Sequence, residues 1–315
     1  MRLIGSSDWI SIQRAGCWGL AVDAIVAESL TRRYGRRTGI EELNLVVREG
    51  VLSGFLGPNG AGKTTTIRVL LGFLRPTSGR ASLFGLDCWQ RSHRAKAEVG
   101  YLPGDLRLHP WMDGRQALRL FGAIRRRDLM VEGRRLAEEF NLDLRVKARQ
   151  MSRGMRQKLG LILAMAHRPR LLILDEPTTA LDPLMQEQLH GHLRELAAAG
   201  HTVFFSSHTL SEVEQLCDRV AIVREGRVIV DAGLDELRGR SRREVMIRWK
   251  GVAQAEQVPP PFLEVRRRDG QTWSCLLAGS PEDLLQWAAG RPIEDFSVGR
   301  PDLDTLFRGY YRQGG

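Results

Sequence analysis

Residues 51–74, VLSGFLGPNGAGKTTTIRVLLGFL, decide how the rest of the chain is read. An apolar run from Val51 to Leu56 breaks into glycines and ends on Lys63-Thr64 before a second apolar run. That order predicts a strand, a phosphate loop and a helix. Gly57, Gly60 and Gly62 let the backbone curl around an anion, turning N–H groups and the positive end of the following helix toward phosphate. Pro58, Asn59, Ala61 and Thr65 complete the predicted binding run. Lys63 supplies a movable positive charge for the β and γ phosphates, and the Thr64 hydroxyl is placed to ligate Mg²⁺. The pattern GxxxxGK(S/T) also occurs in chains that bind no nucleotide; its position after a strand and before a helix gives it meaning here.

Cleaving the bond to a γ-phosphate needs positioning and charge neutralisation more than covalent help, so a second acidic strand end is expected near the loop. LLILDE, residues 171–176, supplies it. Its apolar residues predict a buried strand that presents Asp175 to Mg²⁺. Glu176, one residue beyond, can act as general base toward the attacking water. Two acids at the end of an ordinary strand would look the same in isolation; the upstream phosphate loop sets this pair apart.

At 315 residues with 43% hydrophobic content, the chain can hold one large α/β domain and a smaller one. No stretch approaches the roughly 18 uninterrupted apolar residues of a membrane span. Cys17, Cys88, Cys217 and Cys275 are far apart and form no CxxC pair, which fits a reducing cytosol better than a disulfide framework or a zinc site. The formal charge of +10 raises the question of nucleic acid, yet only five of the 47 basic residues are Lys. An Arg skew spread along the whole chain reads as compositional bias rather than one built surface, so no nucleic-acid partner is expected.

Residues 1–23 show no clear period and read as a flexible extension, with an apolar patch too short for a secretory leader. From Ala24, the runs AIVAESL and LNLVV predict strands with Tyr34 in the turn between them. Gly79–Gly85 and Val99–Leu102 predict two more. Helical spacing follows from about Met112 to Leu144, and a new helix starts after Ser152 as N-cap. A strand over Arg170–Leu174, a helix near Pro183–Ala199 and a strand Thr202–Phe205 ending in Ser206-Ser207-His208 come next. Strands alternating with helices predict a parallel sheet with its chemistry at the carboxyl ends. DRVAIVREGRVIVD predicts a hairpin turning at Glu225-Gly226. Past an Arg-rich link, short strands, a helix over Pro281–Ala289 and a final helix from Leu303 predict a small α+β appendix. The histidines other than His208 are expected at the surface.

These motifs, in this order, resemble the nucleotide-binding subunit of ATP-binding cassette (ABC) transporters from roughly Ile25 to Gly233. The resemblance implies a P-loop NTPase fold of α/β class: an ABC ATPase domain over 24–236 with a helical insert over about 112–168, followed by an accessory α+β domain over 237–315. It also implies roles. Tyr34 lies where an aromatic ring stacks on adenine, His208 matches the switch histidine that contacts the γ-phosphate, and TALD, 179–182, looks like the loop that crosses a dimer, with Asp182 its acid. The signature, typically LSGGQ, is here Met151-Ser152-Arg153-Gly154-Met155; Ser152 and Gly154 are retained. In the family that helix start closes over ATP held by the other subunit, which implies a homodimer sandwiching two ATP molecules.

The variant signature resembles the branch of drug and small-lipid exporters. A separate integral membrane permease is therefore the implied partner, with this chain cytoplasmic and peripheral on the inner face of the membrane. A soluble ABC ATPase acting on ribosomes or nucleic acid is the alternative, and one cassette per chain counts against it. A regulatory GTPase lacks its NKxD-like guanine reader here. After VGYLP the family places a Gln that touches Mg²⁺ or water; Gly104 and Asp105 stand here instead, so either Asp105 substitutes or that link is looser.

Overall fold

The computed structural model describes residues 23–240, 242–251, 257–301 and Phe307. Both the expected flexibility of residues 1–22 and the expected final helix from Leu303, apart from Phe307, lie outside the described residues. The chain opens with two long strands, β1 (Asp23–Tyr34) and β2 (Arg37–Arg48), then β3 (Leu52–Leu56), β4 (Ser78–Leu83), β5 (Leu86–Asp87) and β6 (Val99–Leu102). β7 (Leu171–Asp175), β8 (Thr202–Ser207), β9 (Arg219–Arg224) and β10 (Arg227–Gly233) follow, and then β11 (Arg243–Trp249), β12 (Leu263–Asp269), β13 (Thr272–Leu277) and β14 (Ile293–Pro301).

The central sheet has the order β10-β9-β3-β8-β7-β6. β6, β7, β8, β3 and β9 run parallel, and β10 closes one edge as the antiparallel arm of the expected hairpin. Every residue of β3, β7 and β8 is buried, which is why these strands read as unbroken apolar runs rather than as alternation. β8 lies between β3 and β7, with Leu56 paired to Ser207 and Asp175 paired to Ser206. The phosphate loop, the acidic pair and the Ser-Ser-His segment therefore leave neighbouring strands at the same sheet edge.

A second, antiparallel sheet of order β2-β1-β4-β5 shares an apolar cluster with one face of the first, built around Ile25, Leu43, Phe55, Ile67 and Phe204. Tyr34 closes β1 instead of sitting in the turn, because pairing with Arg37 extends the ladder to the last residue before Gly35. The opposite face carries a cluster joining Leu102, Leu174 and Phe205 to the helices Gly114–Arg125, Met130–Glu139 and Arg153–Met165, and includes Phe307. Asp113 starts the first of these helices through a reciprocal capping box with Gln116.

The last four strands form a separate antiparallel sheet, β12-β13-β11-β14. Its apolar face packs Val245, Ile247 and Cys275 with the tryptophans Trp249, Trp273 and Trp287, whose ring centroids are 5.0 and 6.1 Å from that of Trp249. The expectation that histidines other than His208 are surface residues fails for His167 and His190, which are buried. His190 falls on the covered stripe of the helix Pro183–Ala198 beside Leu189 and Leu193, a stripe that a histidine in an otherwise apolar pattern does not announce. Among the described residues, no helix is long and apolar enough to cross a membrane.

Candidate functional site

The phosphate loop is shaped by close contacts that only glycine allows. Gly62 sits at φ +106°, and a Cβ there would lie 2.6 Å from the carbonyl oxygen of Gly39. A Cβ on Gly57 would lie 2.5 Å from the carbonyl oxygen of Val223 on β9. The loop is thus pinned from both sides before it enters the helix Lys63–Leu70. Lys63, only 5% exposed, donates from Nζ to the carbonyl oxygens of Gly57 (2.7 Å) and Pro58 (3.2 Å) and lies 3.4 Å from Glu176 Oε1.

Asp175 is 2% exposed, and both of its carboxylate oxygens are engaged. Thr64 Oγ1 donates to Oδ2 at 2.9 Å and Ser206 Oγ donates to Oδ1 at 2.7 Å. The next residue leaves the strand in an unusual conformation: Glu176 has φ +53°, a left-handed backbone that non-glycine residues adopt at a cost of order 1 kcal/mol or more. Several bonds hold it there. Its N–H donates to Ser206 O (3.2 Å) and Ser206 Oγ (3.1 Å), and Gln157 Nε2 donates to the carbonyl oxygens of Glu176 (3.3 Å) and Pro177 (2.9 Å). His208, half exposed at the end of β8, places Nδ1 3.6 Å from Glu176 Oε1.

Lys63, Thr64, Asp175, Glu176 and His208 are therefore brought together. An open cleft of about 430 Å³ runs beside them, with Asn59, Gly60, Lys63, Thr64, Thr65 and Glu176 in its wall. Tyr34 lines the same cleft, its ring close against Gly39 and 4.9 Å from the Arg32 guanidinium. Sequence reasoning missed Arg37, Thr38, Gly39 and Arg68 in that wall, and it missed Gln157 and Ser206. Ser206 alone had a signal, since it stands beside the singled-out His208. A hard carboxylate and a hydroxyl that already meet at 2.9 Å fit a divalent cation taking its remaining ligands from phosphate and water.

The signature and crossing-loop residues stand apart from the cleft wall. Ser152 is exposed and caps the helix Arg153–Met165 by accepting the Met155 N–H at 3.1 Å, while a Cβ on Gly154 would meet Ala180 O at 2.8 Å. Asp182 caps the helix Pro183–Ala198 by accepting the Met185 N–H at 2.9 Å. Gly154 thus approaches the turn at Ala180, two residues before Asp182, and neither Ser152, Gly154 nor Asp182 lines the cleft of its own chain. Where the expected Gln is absent, Asp105 pairs with Arg107 at 2.9 Å, and a Cβ on Gly104 would lie 3.6 Å from Asp175 Oδ2. The space a longer side chain would fill is a second hollow, lined by Thr64, Tyr101, Gly104, Asp105, Arg107 and Asp175.

A glycine-rich loop between a central parallel strand and a helix, with an acid pair at the end of the strand next but one, defines a P-loop nucleotide hydrolase. The family model described as ABC transporter matches residues 40–179. Over 303 residues the chain is 36% identical to the daunorubicin resistance ATP-binding protein DrrA3 of Streptomyces coeruleorubidus, covering 91% of this chain and 96% of that protein. It is 37% identical over 233 residues to the bacitracin transport ATP-binding protein BcrA of Bacillus licheniformis, covering 70% and 72%. A solved ATP-binding subunit of an ABC transporter superposes with a TM-score of 0.65 at 29% identity, covering 68% of this chain and 92% of that one. The chain belongs to the ATP-binding subunits of ABC transporters, and it is an ATPase.

Proposed function

We propose that the cleft holds ATP with Mg²⁺ and that this chain drives export of a small drug-like or lipid-like molecule through a separate membrane permease. The observation that carries the catalytic reading is the meeting of Lys63, Asp175, Glu176 and His208 at the carboxyl edge of three adjacent strands. Lys63 and the loop amides of Gly57 to Thr65 bind the β and γ phosphates, with Pro58, Asn59, Gly60, Ala61 and Gly62 forming the cradle. Lys63 exchanges its loop carbonyls and Glu176 for phosphate oxygen when the nucleotide enters. Tyr34 stacks on the adenine.

Thr64 and Asp175 hold Mg²⁺, which when bound neutralises charge developing on the phosphate oxygens. Glu176, released from Lys63, accepts a proton from the attacking water. His208 steadies the γ-phosphate from the other side of Glu176.

Ser152 and Gly154 do not line their own cleft, and in this reading they close over ATP in a second copy, with Asp182 at the seam. That supports a homodimer with two-fold symmetry. The export reading rests on DrrA3, whose match spans 91% of this chain and 96% of that protein; residues 237–315 we assign as an accessory unit. The soluble alternative acting on ribosomes or nucleic acid has no support among the relatives. Membranes from cells expressing the tagged chain, solubilised with ATP, test the reading: one multi-span protein should copurify, and expression of the pair should lower the cellular content of a fluorescent amphiphilic drug. Recovery of ribosomal RNA instead of a membrane protein overturns it.

A further inference from the structure

We propose that Glu212 is a positioning residue for hydrolysis. Its carboxylate clamps the turn that follows Glu176 to the strand end that carries His208. The inference rests on the roles assigned above to Glu176 and His208, and it concerns a residue in neither the phosphate loop nor the acidic strand.

Glu212 lies in the first turn of the helix Leu210–Leu216, whose buried Val213 and Leu216 fix it against the sheet. Val213 is packed so closely on β3 that a Cβ on Gly54 would lie 2.9 Å from its Cγ1. From that fixed base the two oxygens of Glu212 divide their work. Oε1 accepts from Thr178 Oγ1 at 2.8 Å, and Oε2 accepts from Ser207 Oγ at 2.5 Å. Thr178 stands two residues after Glu176, and Ser207 immediately precedes His208. Ser207 Oγ also accepts the Thr209 N–H at 2.9 Å, so the backbone on both sides of His208 is tied to the same carboxylate.

Both hydroxyls are buried, Thr178 at 6% and Ser207 at 1% exposure, so no water replaces Glu212 cheaply. Short O–H···O⁻ bonds of this kind are about twice as strong as neutral ones. What they hold is a segment under strain. Glu176 at φ +53° and Ala180 at φ +64° flank Thr178, and relaxation of that turn moves the Glu176 carboxylate relative to His208 and the phosphate loop. A displacement on the order of 1 Å at a reacting group can cost ~10²-fold in rate. Most of the nucleotide contact assigned above comes from Lys63, the loop amides and Tyr34, whereas Glu212 bonds Thr178 and Ser207.

The test is turnover against affinity in the full-length chain. Glu212→Ala should lower kcat by about 10- to 100-fold while the Kd for a fluorescent ATP analogue stays within about threefold of wild type. Glu212→Gln, which keeps polar ends of the same reach, should recover to within about fivefold of wild type. Thr178→Val and Ser207→Ala each remove one arm and should lower kcat in the same direction with affinity unchanged. In a Glu176→Gln background, Glu212→Ala should cost at most about threefold, because the group it positions is already disabled.

Wild-type kcat in Glu212→Ala overturns the clamp. So does a parallel loss of ATP affinity, which marks a structural role, and so does Glu212→Gln as impaired as Glu212→Ala, which marks a charge effect. If Glu176→Gln itself keeps wild-type turnover, the assigned roles fail whatever Glu212 does; if only the Glu212 variants are active, the clamp alone fails.

Discussion

Glu176→Gln separates binding from chemistry. In the structure Glu176 Oε1 stands 3.4 Å from Lys63 Nζ and 3.6 Å from His208 Nδ1. A glutamine of the same length keeps the reach but cannot take a proton. Loss of a general base costs ~10² to 10⁴ in rate, equivalent to about 3 to 5 kcal/mol on the barrier. The fold should tolerate the change. Lys63 retains the carbonyl oxygens of Gly57 and Pro58, and the Glu176 side chain is 28% exposed, so the lost ion pair is worth on the order of 1 kcal/mol. Single-turnover phosphate release measures the rate, and a fluorescent ATP analogue measures affinity. The expected result is wild-type or tighter binding with turnover down by at least ~10². Turnover within about threefold of wild type removes Glu176 from the base role.

Two further outcomes are expected. Lys63→Ala, which removes the buried cation held by Gly57, Pro58 and Glu176, should lose most ATP binding in the same fluorescence titration; unchanged affinity means the loop is not the phosphate site. His167 predicts acid sensitivity of the fold. Burial, then the nearby Arg125 guanidinium, pushes its pKa down to about 4 from an ordinary 6.5. The unfolded chain therefore takes up a proton below pH ~6.5 that the fold refuses until about pH 4, so this stability is full above pH ~6.5 and shrinks as pH falls, by about 3 kcal/mol in all. Urea midpoints should fall between pH 6.5 and pH 4, and His167→Gln should flatten that part of the profile relative to wild type.

The meeting of the glycine loop and the acid pair at one edge of the sheet was legible because the residue types there are constrained at fixed spacing. GPNGAGKT has to turn tightly around an anion, and LLILDE has to be buried up to its acid. Their convergence follows from parallel pairing of β3, β8 and β7. Residues that act through tertiary contacts left no such trace. Gln157 reaches Glu176 across 19 positions, and Arg37 enters the cleft only because β2 folds back beside the phosphate loop. Nor does spacing separate a histidine on a covered helix stripe, as His190 is, or one in a buried turn, as His167 is, from one facing solvent. The Gly104 position shows the converse. The sequence marked a departure, and the structure shows a hollow beside Asp175 whose wall includes Gly104 and the paired Asp105 and Arg107.

The central claim is that each chain supplies half of two ATP sites, since Ser152 and Gly154 do not line the cleft formed by their own phosphate loop. Sedimentation of Glu176→Gln with and without Mg-ATP tests it most directly. The account predicts that the 35.5 kDa chain doubles in mass only when ATP is present, with two nucleotides per dimer, and that Ser152→Arg prevents the doubling. ATP bound at one equivalent per chain, with the mass unchanged and the nucleotide shielded from solvent, would contradict it.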